Sequence, residues 1–168
     1  MRKIIITIVI ITAILAWGLL VRPPVVGGKF TSPWGLRFST DRLFHPGSDI
    51  ALPIGAPVFP IAGGKVRVAD FNERHGNFMI IDHLPGIESR YLHFDTMNSS
   101  AGDTVNHRTV IGTVGNTGNI STGPHIHWEI RVFNIALPAY LICLSGRILQ
   151  KAGVHKMVDR LLANNVQQ

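Results

Sequence analysis

The stretch Ser121-Thr122-Gly123-Pro124-His125-Ile126-His127-Trp128-Glu129-Ile130 leaves a turn of small residues and enters an alternation of polar and apolar side chains. A period of two marks a strand, so His125 and His127 project to one face while Ile126 and Trp128 face the other. One face is then packed, and the other is solvated or lines a cleft. Working outward, residues 57–62, 65–71, 78–83, 89–94, 109–114 and 126–133 read as short strands separated by Gly, Asn, Asp or Pro turns. The expected fold is all-β, an antiparallel sheet or sandwich with a metal-binding cleft.

A second pair completes the cleft. In His45-Pro46-Gly47-Ser48-Asp49, the turn formers Pro46 and Gly47 let an imidazole and a carboxylate converge on one point. Residues 27–44, rich in Gly, Ser, Pro and Thr, read as a loop or short strand that delivers His45. Neutral imidazole and carboxylate oxygen are both good zinc ligands. A catalytic zinc takes three protein ligands and leaves the fourth position to water. If His45, Asp49 and one of His125 and His127 hold the metal, the remaining histidine faces the open position. Zinc lowers the pKa of its water to roughly 7, so a neutral histidine there is a sufficient base. No His-Glu-x-x-His helix occurs.

His75, His83, His107 and His155 are set aside as surface or core histidines, the commonest role of a lone imidazole. Cys143 is the single cysteine, and in the apolar context Ile142-Cys143-Leu144 it reads as a buried, inert thiol. Residues 115–119 and 121–124 form the rim of the cleft. No helix and no P-loop lysine follow them, which excludes a phosphate cradle.

These residues resemble a known family. The stretches RLFHPGSDIALPIGAPV (42–58), AGGKV (62–66), HGNFMIIDH (75–83), RYLHF (90–94), AGDTV (101–105), VIGTVGNTG (110–118) and STGPHIHWEI (121–130) follow the order of lysostaphin-type (LytM-like) zinc endopeptidases of bacterial cell walls. The likeness runs from about Ser32 to Val132. The resemblance implies that His45, Asp49 and His127 bind Zn2+ and that His93 and His125 are catalytic, handling the water and the scissile carbonyl. It further implies proton transfer by His125, oxyanion support by His93, and peptidoglycan peptides as substrate, cut in cross-links or stems. One departure lies at Asn106-His107, where relatives turn on a glycine; Asn tolerates the left-handed conformation, which would preserve the turn.

Sixteen Lys and Arg stand against ten Asp and Glu in 168 residues, a balance suited to acidic wall polymers and ordinary for a solvated surface. No basic run interleaves with aromatics, so a nucleic-acid partner is not expected. Ile4 to Val21 carries no charge and follows Arg2-Lys3, long enough to cross a bilayer and longer than the apolar core of most cleaved signals. The expected organisation is a membrane anchor or signal segment with linker at residues 1–27, a zinc peptidase domain at 28–134, and a C-terminal packing segment at 135–168 with a short helix near His155–Ala163. The expected location is the inner or cytoplasmic membrane, single-pass, with the catalytic domain exported; secretion after cleavage is the alternative. Two rival functions are a catalytically silent wall-binding or amidase-regulating module, and a structural zinc domain. The first requires lost ligands, and the second is usually closed by cysteines.

Overall fold

The computed structural model describes residues 21–37 and 43–143, and these form an antiparallel β-structure. The strands are β1 (Lys29–Ser32), β2 (Gly35–Leu36), β3 (Phe44–His45), β4 (Ser48–Ala51), β5 (Pro57–Val58), β6 (Gly64–Asn72), β7 (Gly76–Leu84), β8 (Ile87–Met97), β9 (Thr104–Val105), β10 (Gly112–Val114), β11 (His125–Val132) and β12 (Ile135–Leu137). Ten join one sheet whose main path runs β1-β4-β11-β8-β7-β6-β9; β5 and β10 pair beside β8, and β12 pairs with β11. The remaining two, β2 and β3, make a separate ribbon that ends in His45.

Strand β11 lies between β4 and β8, so its backbone is hydrogen-bonded along both edges and its side chains are fixed in register. His127 stands directly opposite Asp49 on β4, and Trp128 opposite Ser48. Ile126, Trp128 and Ile130 are wholly buried, as are Tyr91, Phe94, Met79 and Ile81 of the neighbouring strands. The alternation in the sequence therefore gives an apolar face that packs and a polar face that lines the cleft.

Three local expectations need correction. The strand read through Phe133 stops at Val132, because Phe133 and Asn134 take positive φ values of 47° and 65° and turn the chain into β12. Two left-handed residues in a two-residue loop match the right-handed twist of a hairpin. Strand β12 then pairs back on β11, and Pro23–Tyr140 forms one compact body. At Asn106 the turn uses no left-handed residue. The Asn106 side-chain oxygen accepts from the Arg108 amide at 2.9 Å, its carbonyl accepts from the Thr109 amide at 2.9 Å, and the Thr109 hydroxyl accepts from the Asn106 amide at 3.1 Å. Asparagine makes the turn here by bonding to the backbone rather than by adopting a left-handed conformation. Residues 48–51, not read as a strand from the sequence, form β4.

Residues 139–143 are helical, and Cys143 is buried. Among the described residues no helix is long and apolar enough to cross a membrane. The uncharged N-terminal segment up to residue 20 and the helix expected near His155 lie outside the described residues.

Candidate metal centre and active site

The β3–β4 turn at Pro46-Gly47 brings His45 and Asp49 together, and the β4–β11 register sets His127 across from Asp49. Gly47 is required by space as well as by the turn, since a Cβ there would lie 2.5 Å from the Trp128 carbonyl and 2.6 Å from His127 Nε2. The result is a triangle of donor atoms. His127 Nδ1 is 2.8 Å from Asp49 Oδ1, His45 Nε2 is 3.2 Å from the same oxygen, and the two nitrogens are 3.0 Å apart. Donors bound about 2.0–2.2 Å from one tetrahedral zinc are separated by about 3.3 Å, so these three side chains fit a single ion.

The protons on the rings point to the same conclusion. His45 Nδ1 lies 2.7 Å from the Pro33 carbonyl, which can only accept, so this nitrogen carries the hydrogen and Nε2 is bare. His127 Nε2 donates to the Glu129 carboxylate at 3.1 Å, leaving Nδ1 bare. Two nitrogen lone pairs and a carboxylate oxygen therefore face one another at hydrogen-bond distance. A cation at their centre satisfies all three. In the metal-free protein a proton takes that role. Burial opposes the charged form of His127, but hydrogen bonds and charge from Asp49 and Glu129 outweigh it and raise the group to about 8.

The carboxylates respond in the opposite sense. Burial would raise Asp49, yet His127 and His45 hold it far below the usual carboxylate range. Burial would likewise raise Glu129, and His127 with Arg131 lowers it to about 2; Arg131 Nε donates to Glu129 at 2.6 Å. Asp49 uses only one oxygen in the triangle. Its Oδ2 accepts from Arg37 at 3.0 Å, and the same Arg37 nitrogen donates to Ser32 Oγ at 2.5 Å. Arg37 therefore fixes which carboxylate oxygen faces the centre.

His125 and His93 lie beside the triangle, outside it. His125 Nε2 is 4.0 Å from Asp49 Oδ1, and its Nδ1–H donates to the Gly123 carbonyl at 2.7 Å. The rings of His93 and His125 are 4.8 Å apart between centroids. His93 occupies a β-bulge, where Asn77 pairs with Phe94 and Phe78 with Leu92, leaving His93 without a partner in the ladder. Its φ is +72°, and its amide donates to the His75 carbonyl at 3.1 Å. A left-handed histidine costs backbone energy that the surrounding sheet sustains, and the bulge aims the ring at the cleft. His93 Nδ1–H donates to Thr117 O at 2.8 Å, and burial lowers its pKa to about 4, against the pull of that carbonyl. The ring is neutral at pH 7.

The cleft around these groups is a recess of about 280 Å³ that also takes in Arg37, Phe44, Arg74, His75, Ile120 and Glu129. The structure brings His45, Asp49, His93, His125 and His127 together. It adds Glu129, which the alternation places on the same face as His127 and which the sequence reading passed over. It also places His75, set aside from sequence, in the cleft wall. Of the other histidines set aside, His83 bonds to the Gly63 carbonyl and Ser89 outside the cleft, and His155 lies outside the described residues.

The profile of Peptidase family M23 matches residues 43–138, more than half of the chain. The chain belongs to this family. It is 41% identical over 90 residues to the peptidoglycan DD-endopeptidase ShyB of Vibrio cholerae, an alignment covering 54% of this chain and 21% of that protein. Its fold superposes on a zinc-containing peptidase from Vibrio cholerae with a TM-score of 0.66 at 36% identity, over 71% of this chain and 39% of the other. The catalytic domain of lysostaphin from Staphylococcus simulans gives a TM-score of 0.63 at 28% identity, over 69% and 92%. The chain spans about a fifth of the length of the first curated relatives it matches. The resemblance drawn from the seven sequence stretches and the expected zinc cofactor agree with these likenesses.

Proposed function

We propose that this chain is a zinc-dependent endopeptidase that hydrolyses peptide bonds in peptidoglycan cross-links or stems. The observation that carries the reading is the common orientation of four imidazoles. Each commits one N–H to a carbonyl or carboxylate and presents a bare nitrogen to the cleft. His45, Asp49 and His127 would hold the ion. When bound, zinc would polarise a peptide carbonyl and acidify a water molecule.

His125 then acts as the proton acceptor, with its Nε2 outside the donor triangle and its ring locked by Gly123. His93 presents the same kind of bare Nε2. In its neutral form that nitrogen accepts a hydrogen bond and cannot donate one, so oxyanion support by His93 requires that it first receive a proton. We therefore assign His93 to orienting the attacking water beside His125. A silent wall-binding module has little support, because no ligand or helper histidine is missing. A structural zinc site has little support either, since three protein donors leave a coordination position open. We further propose that the domain works outside the cytoplasmic membrane, anchored by the uncharged stretch after Arg2-Lys3, or secreted if that stretch is cleaved.

The test is digestion of chemically defined muropeptides with products identified by mass. The parent should release peptide fragments, while His125→Ala should keep its zinc and lose turnover by roughly 10²–10⁴-fold. If His125→Ala loses zinc and His127→Ala retains it, the two roles are reversed.

A further inference from the structure

The cleft extends away from the metal centre on one side. The recess shares Arg37, Asp49, Ile120 and His125 with a larger groove of about 910 Å³, whose other walls include Thr31, Pro33, Ala51, Thr122 and Pro124. Among the described residues lining that groove, Arg37 and Asp49 are the charged ones, and they are bonded to each other. The recess behaves differently. Glu129 is held by His127 and Arg131, and Arg37 is committed to Asp49, but Arg74, in the β6–β7 turn, lines the recess and enters no ion pair among the described residues.

The backbone beneath Arg74 is held firmly. The His75 amide donates to Asn72 Oδ1 at 2.8 Å, the Asn119 amide to the Glu73 carbonyl at 2.8 Å, and the His93 amide to the His75 carbonyl at 3.1 Å. A Cβ on Gly118 would lie 2.3 Å from the Gly76 nitrogen and 2.8 Å from the Arg74 carbonyl, so the two loops touch. The position of Arg74 is thus tied to the bulge that carries His93.

We propose that Arg74 is a specificity-determining residue that binds a free carboxylate on a residue flanking the scissile amide, and that the adjoining groove receives the other side of the substrate. The chemistry is that of guanidinium and carboxylate, a planar two-point pairing that a neutral carboxamide does not reproduce. This rests on the endopeptidase reading and narrows it. A D-alanyl–diaminopimelate cross-link carries such a carboxylate beside the bond, whereas a bridge of glycines does not.

The experiment compares one such cross-linked muropeptide with its form amidated at that carboxylate, using the full zinc-loaded chain and its Arg74→Gln and Arg74→Lys variants. Hydrolysis and calorimetric binding are both measured. The parent should favour the free carboxylate about tenfold, as expected for one charge-assisted contact. Arg74→Gln should remove that preference by raising KM for the carboxylate form alone, with kcat on the amidated form and zinc content unchanged, and Arg74→Lys should restore part of it. An unaltered preference in Arg74→Gln overturns the assignment. If the parent cleaves neither form, the endopeptidase reading fails on its own, and the binding ratio still decides Arg74: a preference abolished by Arg74→Gln supports the site, and equal binding of both forms refutes it.

Discussion

On one face of β11, Ile126, Trp128 and Ile130 are wholly removed from solvent among apolar neighbours, while on the other His125, His127, Glu129 and Arg131 are each held by a polar partner. Both faces are largely dry, yet they obey different rules. Burial of the apolar face stabilises the fold directly through area taken from water. Burial of the polar face costs free energy for each charge, and hydrogen bonds and opposite charges offset that cost. One strand therefore divides the work, with its core side holding the fold and its cleft side holding ligand atoms in a single geometry.

The largest break in this comparison comes from replacing one residue on each face. His127→Ala should abolish stoichiometric zinc binding, as read by metal analysis of the purified protein, and turnover should vanish with it. Trp128→Ala, one residue away, should lower unfolding free energy by about 3–5 kcal/mol, the usual cost of emptying a large aromatic site in a core. Below its own melting temperature it should still bind one zinc. Parental zinc content in His127→Ala, or a parental melting temperature in Trp128→Ala, would show that the two faces are not divided in this way.

A smaller effect is expected one step out from the ligand. Glu129→Gln keeps the size of the side chain and removes one of the two charges, Asp49 and Glu129, that make His127 basic. Zinc affinity should fall about 10–100-fold, the range for a partner that orients a ligating histidine. The pH dependence sharpens this. In the metal-free protein His127 sits at about 8, so below that pH zinc must displace a proton and its affinity should fall by up to about tenfold per pH unit. Folding stability of the metal-free protein runs the other way. A raised folded pKa gives stability fully present below the ordinary histidine value and lost as pH rises through 8. His93, lowered to about 4, acts only as pH falls below the ordinary value, so the interval between about 6.5 and 8 isolates His127. Acidification across it should strengthen the metal-free fold and weaken zinc binding. Titrations of thermal stability and of zinc affinity with the same sign of slope would remove the proton from His127.

Much of the polar face was legible because its spacing is a consequence of strand geometry. His125 and His127 are two residues apart, and the turn at Pro46-Gly47 announces convergence of His45 and Asp49. Glu129 obeyed the same period and could have been found by carrying the alternation one step further. His93 in its bulge was not legible from backbone rules, since an unpaired, left-handed histidine arises from a register shift between β7 and β8 that only the paired strands define. The pairing of His127 with Asp49 and the ties of Arg37 to Asp49 and Ser32 are likewise long-range facts. Asn106 was legible as a turn, and the mechanism of that turn was not, because an Asx bond and a left-handed residue leave the same mark in a sequence.

The smallest expected effect tests the apolar face at its weakest point. Ser48 Oγ and Trp128 Nε1 are buried and have no hydrogen-bond partner among the described residues, although the two residues stand opposite each other in the β4–β11 register and point away from the metal centre. A buried hydroxyl without a partner costs free energy on folding, so deleting it should help. Ser48→Ala should raise stability by up to about 1 kcal/mol, visible as a higher urea midpoint with an unchanged slope, and should leave zinc content as it was. A loss of more than about 1 kcal/mol would mean that a buried water links the hydroxyl to the indole N–H. The polar and apolar faces of β11 would then both depend on hydrogen bonds, and the contrast drawn between them would hold only for Ile126 and Ile130.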